Sequence, residues 1–323
     1  AWPSGAAMAP DSWAYVGIGS ATVNLWDYSG PTIASAILSH TGWKTTKPTS
    51  ATVFMGAVSD NLGWTGISSS DVRVYNRQTA GWSTAVTGAS NATQLVFNAS
   101  TWADGQYDIY ARVNPAGTGA LPSSSTLAGT LQMDTTPPSA PTSLAGAPAG
   151  WSSQASATLT PQGAADATSG LSTYRWETGP SATGPWTSQG TSATFTVSGP
   201  GQTWVRAFAR DAAGLESAAA SPAVSVSLDR TAGSIDQVAG GGSAWSPVAL
   251  TLSPVNAQDA LSGVAAIEWR RSGNGGTTWS ALPDGAQAVV SDDGDWLYAA
   301  RVRDGAGNTG AWVPTSARVD RTA

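Results

Sequence analysis

Few side chains in this sequence are equipped for chemistry. His40 is the single histidine and cysteine is absent, which excludes a thiol nucleophile, a Cys/His zinc set and a histidine pair. A hydrolase triad would have to run through His40, and no Gly-x-Ser-x-Gly elbow stands between a strand and a helix to present its serine. His40 reads instead as a polar residue at the end of a strand over Ile33–Leu38. Paired carboxylates for glycoside hydrolysis would have to come from sites such as Asp292, Asp293 and Asp295, but these crowd one turn before a strand and read as solvated turn acids. With Asp284 or Asp304 nearby, the same trio offers oxygens to Ca²⁺, an ion that takes about six to eight of them from flexible loops. EF-hand spacing is missing, and the matching turn one repeat earlier, Gly199-Pro-Gly-Gln202, carries no acid. The expectation is a protein that is not an enzyme, with no cofactor and no metal ligand.

Charge narrows the partners. Only 11% of the 323 residues are charged, the net charge is -6, and Lys44 and Lys47 are the only lysines. No basic face exists for nucleic acid, and no basic amphipathic helix could lie on an anionic bilayer. Membrane insertion is not expected either, since no apolar run reaches about 18 residues. The chain opens at Ala1 without a charged leader, the expectation for a mature secreted polypeptide whose signal peptide has been removed. Hydrophobic residues make up 41% and include 16 tryptophans, so packing rather than disulfides must stabilise the domains.

The elements that position these residues repeat. Asp134-Thr135-Thr136, Asp229-Arg230-Thr231 and Asp320-Arg321-Thr322 lie 95 and 91 residues apart, each closing a stretch of alternating small and apolar residues. Upstream of each closing phrase runs a long strand: Tyr107–Val113, Trp204–Arg210 and Trp296–Arg303. The last two lead into Asp211-Ala-Ala-Gly214 and Asp304-Gly-Ala-Gly-Asn308, where glycine supplies the positive φ of a tight turn. Further upstream, Val72–Arg77, Tyr174–Glu177 and Ile267–Arg271 read as a second strand, and Ala51–Met55, Ala157–Thr160 and Val248–Leu252 as a third. All alternate with a period near two. Gly, Pro and β-branched residues interrupt every candidate helix.

About seven short strands in roughly 90 residues, with turn signals every 8 to 12, is the pattern of an antiparallel sandwich. From about residue 45 onward the chain resembles tandem bacterial immunoglobulin-like or fibronectin-type-III-like repeats of actinobacterial secreted and cell-surface proteins. The resemblance is carried by Leu261-Ser-Gly-Val264, by Ala300-Arg-Val-Arg-Asp-Gly-Ala-Gly-Asn308 and by the linkers at Asp134 and Asp229. It implies an all-β fold of three tandem antiparallel β-sandwich, Ig-like domains at 45–136, 137–231 and 232–323. It says little about function, because such repeats serve as spacers, stalks, enzyme appendages and filament subunits. Unit one lacks the Asp-x-Ala-Gly turn, and units two and three lack the lysine that an intramolecular isopeptide bond of such domains would need. The sequons at Asn91 and Asn98 leave glycosylation open.

The first 44 residues have no evident counterpart in the repeat and read as an extra strand-forming segment. Trp13, Tyr15, Val16, Ile18, Val23, Leu25, Trp26, Ile33, Ile37 and Leu38 carry too much apolar surface to remain in water. Either they add strands to their own first domain, or they complete a neighbouring copy's sheet by strand addition, a head-to-tail contact that builds a filament unless it closes. The interdomain linkers expected are Asp134 with Pro137 and Pro138, Asp229 with Thr231, and Asp320, joining the domains into an extended rod. The leading expectation is a non-enzymatic extracellular or cell-surface structural protein, a subunit of a filament or stalk whose partners are copies of itself. The alternative is an adhesive or carbohydrate-binding spacer region of a larger secreted protein, with cell-wall or environmental glycans as partners. Trp43, Trp64, Trp102, Trp151, Trp245 and Trp312 near turns are its candidate contacts. Trp176, Trp269, Trp204 and Trp296 recur as core residues would.

Overall fold

The computed structural model describes residues 30–60, 66–116 and 123–322, in which regular structure is strand and no α-helix occurs. Two compact units result: one runs to Ser139 and takes in Ala165–Ser172 and Arg210–Ala218, and the other holds Ala140–Ala164, Thr173–Ala209 and the chain from Ala219 onward.

The first sandwich lies in the first unit. Its strands are β1 (Thr32–Ile33), β2 (Ala36–Leu38), β3 (Trp43–Lys44), β4 (Ala51–Met55), β5 (Val58–Ser59), β6 (Ile67–Asn76), β7 (Gly81–Gly88), β8 (Gln94–Phe97), β9 (Gly105–Pro115) and β10 (Ser124–Met133). They form a three-stranded sheet in the order β2-β4-β8, a five-stranded sheet in the order β3-β10-β9-β6-β7, and the short pair β1-β5. Along β9 the side chains alternate, and Tyr107, Ile109, Ala111 and Val113 all face the core, as a sheet packed on one face requires.

The second and third sandwiches repeat this plan. The second has β11 (Ser143–Ala145), β12 (Trp151–Ser152), β13 (Ser156–Gln162), β14 (Leu171–Gly179), β15 (Thr187–Ser192), β16 (Phe195–Ser198), β17 (Gly201–Asp211) and β18 (Val224–Leu228). The third has β19 (Gln237–Ala239), β20 (Trp245–Ser246), β21 (Leu250–Val255), β22 (Val264–Ser272), β23 (Ser280–Leu282), β24 (Ala288–Val290), β25 (Gly294–Asp304) and β26 (Val313–Val319). The orders β11-β13-β16 with β12-β18-β17-β14-β15, and β19-β21-β24 with β20-β26-β25-β22-β23, are the three-plus-five arrangement again. The chain is thus three tandem β-sandwiches of immunoglobulin or fibronectin-III-like plan. Trp176 and Trp269 are the central core side chains, 0% and 1% exposed. Each indole N–H donates to a backbone carbonyl, Ser192 O at 3.0 Å and Gly285 O at 2.7 Å. Trp204 and Trp296, expected beside them, are only partly buried.

The segment before residue 45 divides differently from the expectation of a surplus arm. Residues 30–44 supply β1, β2 and β3 of the first sandwich. Ala36, Ile37 and Leu38 pair with Met55, Phe54 and Val53, while Trp43 and Lys44 pair in parallel with Gln132 and Met133. The strand alternation turns Leu38 into the core at 4% exposure and Ile37 outward at 63%; Ile33 is covered at 8%. Ile33 and Leu38 are therefore core residues of their own chain rather than contacts for a neighbour. The other repeats do carry counterparts: Trp151 opens β12 and Trp245 opens β20, and each of these strands pairs in parallel with the last strand of its sandwich, as β3 does. Trp13, Tyr15, Val16, Ile18, Val23, Leu25, Trp26 and Trp64 lie outside the described residues.

Candidate metal centres at the ends of the repeats

The three closing aspartates occupy one structural role. The backbone N–H of Asp134 donates to Lys44 O, that of Asp229 to Ser152 O and that of Asp320 to Ser246 O, each at 2.9 Å. These bonds extend the short parallel pairing that opens each sandwich. Each carboxylate then accepts the amide two residues on, from Thr136 at 3.1 Å, Thr231 at 2.9 Å and Thr322 at 3.1 Å, the local turn that makes Asp suited to a chain reversal. Asp134 and Asp229 are fully buried and Asp320 is exposed. Pro138 is buried next to the first of these turns, whereas Pro137 and Thr231 are exposed.

Burial of the first two comes with further partners. Asp134 Oδ2 accepts from Ser169 N at 3.1 Å. Asp229 Oδ2 accepts from Ser262 N at 3.1 Å and from the Ser262 hydroxyl at 2.7 Å. Ser169 and Ser262 sit in matching loops, Asp166-Ala-Thr-Ser-Gly170 and Asp259-Ala-Leu-Ser-Gly263. In each loop the leading aspartate folds the backbone over its Oδ1, which accepts Thr168, Ser169 and Gly170 amides in one case and Leu261 and Gly263 amides in the other. Gly170 at φ 78° and Gly263 at φ 74° close these loops in the left-handed region that disfavours a Cβ.

A third aspartate joins each pair from the end of the long strand, Asp211 closing β17 and Asp304 closing β25. Asp211 Oδ1 accepts Leu215 N at 2.8 Å, and Asp304 Oδ1 accepts Ala306 N at 2.9 Å and Asn308 N at 2.8 Å. Two carboxylate clusters result, Asp134 with Asp166 and Asp211, and Asp229 with Asp259 and Asp304. Within each, one oxygen from every residue lies within 4.8 Å of the others, and the flanking two residues are buried. The first cluster is held inside the first compact unit and the second inside the other.

The clusters differ in how their charge is balanced. In the second, the Asn308 amide nitrogen donates to Asp304 Oδ2 at 2.8 Å and to Asp229 O at 2.9 Å. Burial pushes the Asp229 carboxyl up, but the Ser262 hydroxyl and the Thr231 and Ser262 amides outweigh it and hold the group below the ordinary carboxylate value. In the first cluster Leu215 takes the place of Asn308. Asp211 is 2% exposed and its Oδ2 has no hydrogen-bond partner among the described residues. Burial raises the Asp211 carboxyl pKa; the Leu215 and Gly214 amides oppose the rise, and the negative charges of Asp134 and Asp166 add to it.

The acids singled out in the sequence fall elsewhere. Asp292 pairs with Arg271 at 2.8 Å, Asp293 with Arg321 at 2.9 Å, Asp295 with Arg318 at 3.0 Å and Asp284 with Arg303 at 2.8 Å. Each is engaged by an arginine, and of that group Asp304 alone joins a cluster. The missed signal was legible: Asp166 to Asp211 and Asp259 to Asp304 are both steps of 45 residues, and each first member opens the phrase Asp-Ala-x-Ser-Gly. His40 stands just after β2 with Nδ1 at 2.8 Å from Ser39 Oγ, and Ser39 Oγ in turn accepts Thr52 N at 2.9 Å.

Among the tryptophans near turns, Trp245 is 56% exposed, while Trp43, Trp102, Trp151 and Trp312 are partly buried. Trp102 stacks on Phe97, and Trp312 lies under the guanidinium groups of Arg270 and Arg301. Trp82, 54% exposed, lies between Tyr75 and Tyr110 with ring centroids at 5.1 and 5.2 Å.

No protein-family model matches the chain, and no curated protein matches it. Among solved structures, the FN1–FN3 domains of chicken CNTN1 align at 12% identity and a TM-score of 0.32, over 90% of this chain and 99% of that one. The fold assignment rests on the strand orders described above.

Proposed function

We propose that this chain is a non-enzymatic extracellular structural protein, a tandem spacer that assembles with copies of itself through the segment preceding residue 30. The observation that carries the spacer reading is the treatment of the repeat ends. Asp134 and Asp229 are wholly buried, and each carboxylate binds both its own linker and the Asp-Ala-x-Ser-Gly loop that follows. A free tether would leave such carboxylates in water; buried and hydrogen-bonded ones hold the chain to one local course.

The assembly reading is supported by the outer face of the β2-β4-β8 sheet, where Ile37, Phe54 and Val96 are 63%, 47% and 49% exposed. Ile37 is directly opposite Phe54, and Val96 is diagonal to it, so the three form one apolar patch. The segment before residue 30 brings complementary apolar residues, Trp13, Leu25 and Trp26 among them. Electron microscopy of the full chain tests this. Fibres that disappear on deletion of residues 1–29 are expected, and monodisperse particles at every concentration would overturn it.

The second reading, an adhesive or carbohydrate-binding spacer, is favoured by Trp82 and its tyrosine neighbours, an exposed aromatic platform of the kind that stacks on sugar rings. Binding of the full chain to cellulose, chitin or cell-wall glycan, lost in Trp82→Ala, would support it over assembly.

A further inference from the structure

We propose that Asp134, Asp166 and Asp211 bind a calcium ion, and that Asp229, Asp259 and Asp304 form a weaker copy of the same site. Three carboxylate oxygens within 4.8 Å of one another can all reach a single ion at the usual Ca–O distance of about 2.3–2.6 Å. The donors are all hard oxygens, which suits calcium or magnesium and not zinc or copper.

The cluster is more than a group of acids. Asp211 Oδ2 is sealed from solvent and has no donor among the described residues, while Asp134, equally buried, has only amide donors on its carboxylate. A buried charge without a counter-charge or donor is costly, and no basic side chain forms an ion pair with any of the three among the described residues. A divalent cation supplies the missing positive charge and the missing partner together.

Calcium is favoured over magnesium because the three residues come from a linker turn, a loop and the last residue of β17, an irregular set that suits a flexible shell with waters filling the remaining positions. Magnesium demands a near-octahedral arrangement and releases its waters reluctantly. In the second cluster the Asn308 amide already engages Asp304 Oδ2, so that carboxylate is already partly satisfied without an ion and gains less from one. That difference grades the two sites.

The test uses the full chain stripped with a chelator. Equilibrium dialysis against radioactive calcium is expected to give one tighter and one weaker ion per chain, with magnesium competing at least tenfold less well. Asp211→Asn should weaken the tighter site at least tenfold, and Asp304→Asn should leave it unchanged. Leu215→Asn keeps all three carboxylates and copies the built-in amide of the second cluster, so it should weaken the tighter site several-fold in a chain of unchanged circular dichroism. No calcium retained at millimolar concentration would overturn the proposal. So would an Asp211→Asn or Leu215→Asn chain that binds as the wild type does, and equal magnesium affinity would overturn the assignment to calcium. None of these outcomes depends on whether the chain forms fibres.

Discussion

Removal of one hydroxyl, Ser262→Ala, tests whether the repeat ends are held by charge. Ser262 Oγ donates to Asp229 Oδ2 at 2.7 Å and accepts Ala306 N at 3.2 Å. Its loss leaves the buried Asp229 Oδ2 with the Ser262 amide at 3.1 Å and one donor fewer. Hydrogen bonds to a charged group contribute about 1.5–3 kcal/mol, so the variant should lose about 2 kcal/mol at pH 7 in the presence of chelator. At about 4–8 °C per kcal/mol for a domain of this size, one calorimetric transition of the full chain should fall by roughly 8–16 °C. The pH dependence has a definite sign. The folded Asp229 carboxyl lies below its ordinary value, so its contribution is fully present above the unfolded pKa and fades as pH falls through the folded one. Ser262→Ala moves the folded value back towards the ordinary one, and the gap between variant and wild type should be widest at neutral pH and close below about pH 4. An equal deficit at pH 7 and pH 3 would refute the reasoning, since it would place the role of the hydroxyl in the Ala306 amide or in packing rather than in the carboxylate.

Other perturbations have equally direct readings. Asp71 is 2% exposed and is held by Arg112 through Nε at 2.9 Å and by Asn114 Nδ2 at 3.0 Å; Arg112→Met strands that carboxylate and should cost about 3–5 kcal/mol by urea unfolding. Trp269→Phe leaves the Gly285 carbonyl without its indole donor and should cost about 1–3 kcal/mol from that alone, seen as a lowered midpoint in the third sandwich. Chains that begin at residue 30 and at residue 45 isolate the contribution of β1, β2 and β3 to the thermal midpoint of the first sandwich. Deletion of 1–44 should lower it sharply, because it removes Ile33 and Leu38 from the core and β2 from the edge of β4; equal midpoints would show that these strands add nothing. Asp211 rises above its ordinary value by burial and by the neighbouring charges, so its contribution favours the folded chain at low pH and is lost as pH rises through the folded value. In chelator, Asp211→Asn should therefore raise the melting temperature at pH 7 and leave it nearly unchanged below about pH 4.

The amino-acid sequence by itself determined the sandwich class and most of its long strands. Alternation along Tyr107–Val113, Trp204–Arg210 and Trp296–Arg303 is a local signal, because successive side chains of a strand point to opposite faces whatever surrounds them. The recurrence of Trp176 and Trp269 marked core positions for the same reason. What only the tertiary structure decided depends on residues far apart in the chain. Residues 36–44 look like a surplus because β2 and β3 are two or three residues long, too short for any period to register. They become strands only when β4 and β10 offer them backbone partners. The carboxylate clusters leave a repeated 45-residue spacing in the sequence, but their convergence does not show there: each draws one acid from a strand end, one from a loop and one from a turn, dozens of residues apart. Local pattern reports which face a side chain occupies, whereas convergence of three buried charges is set by where the loops of a folded sandwich meet.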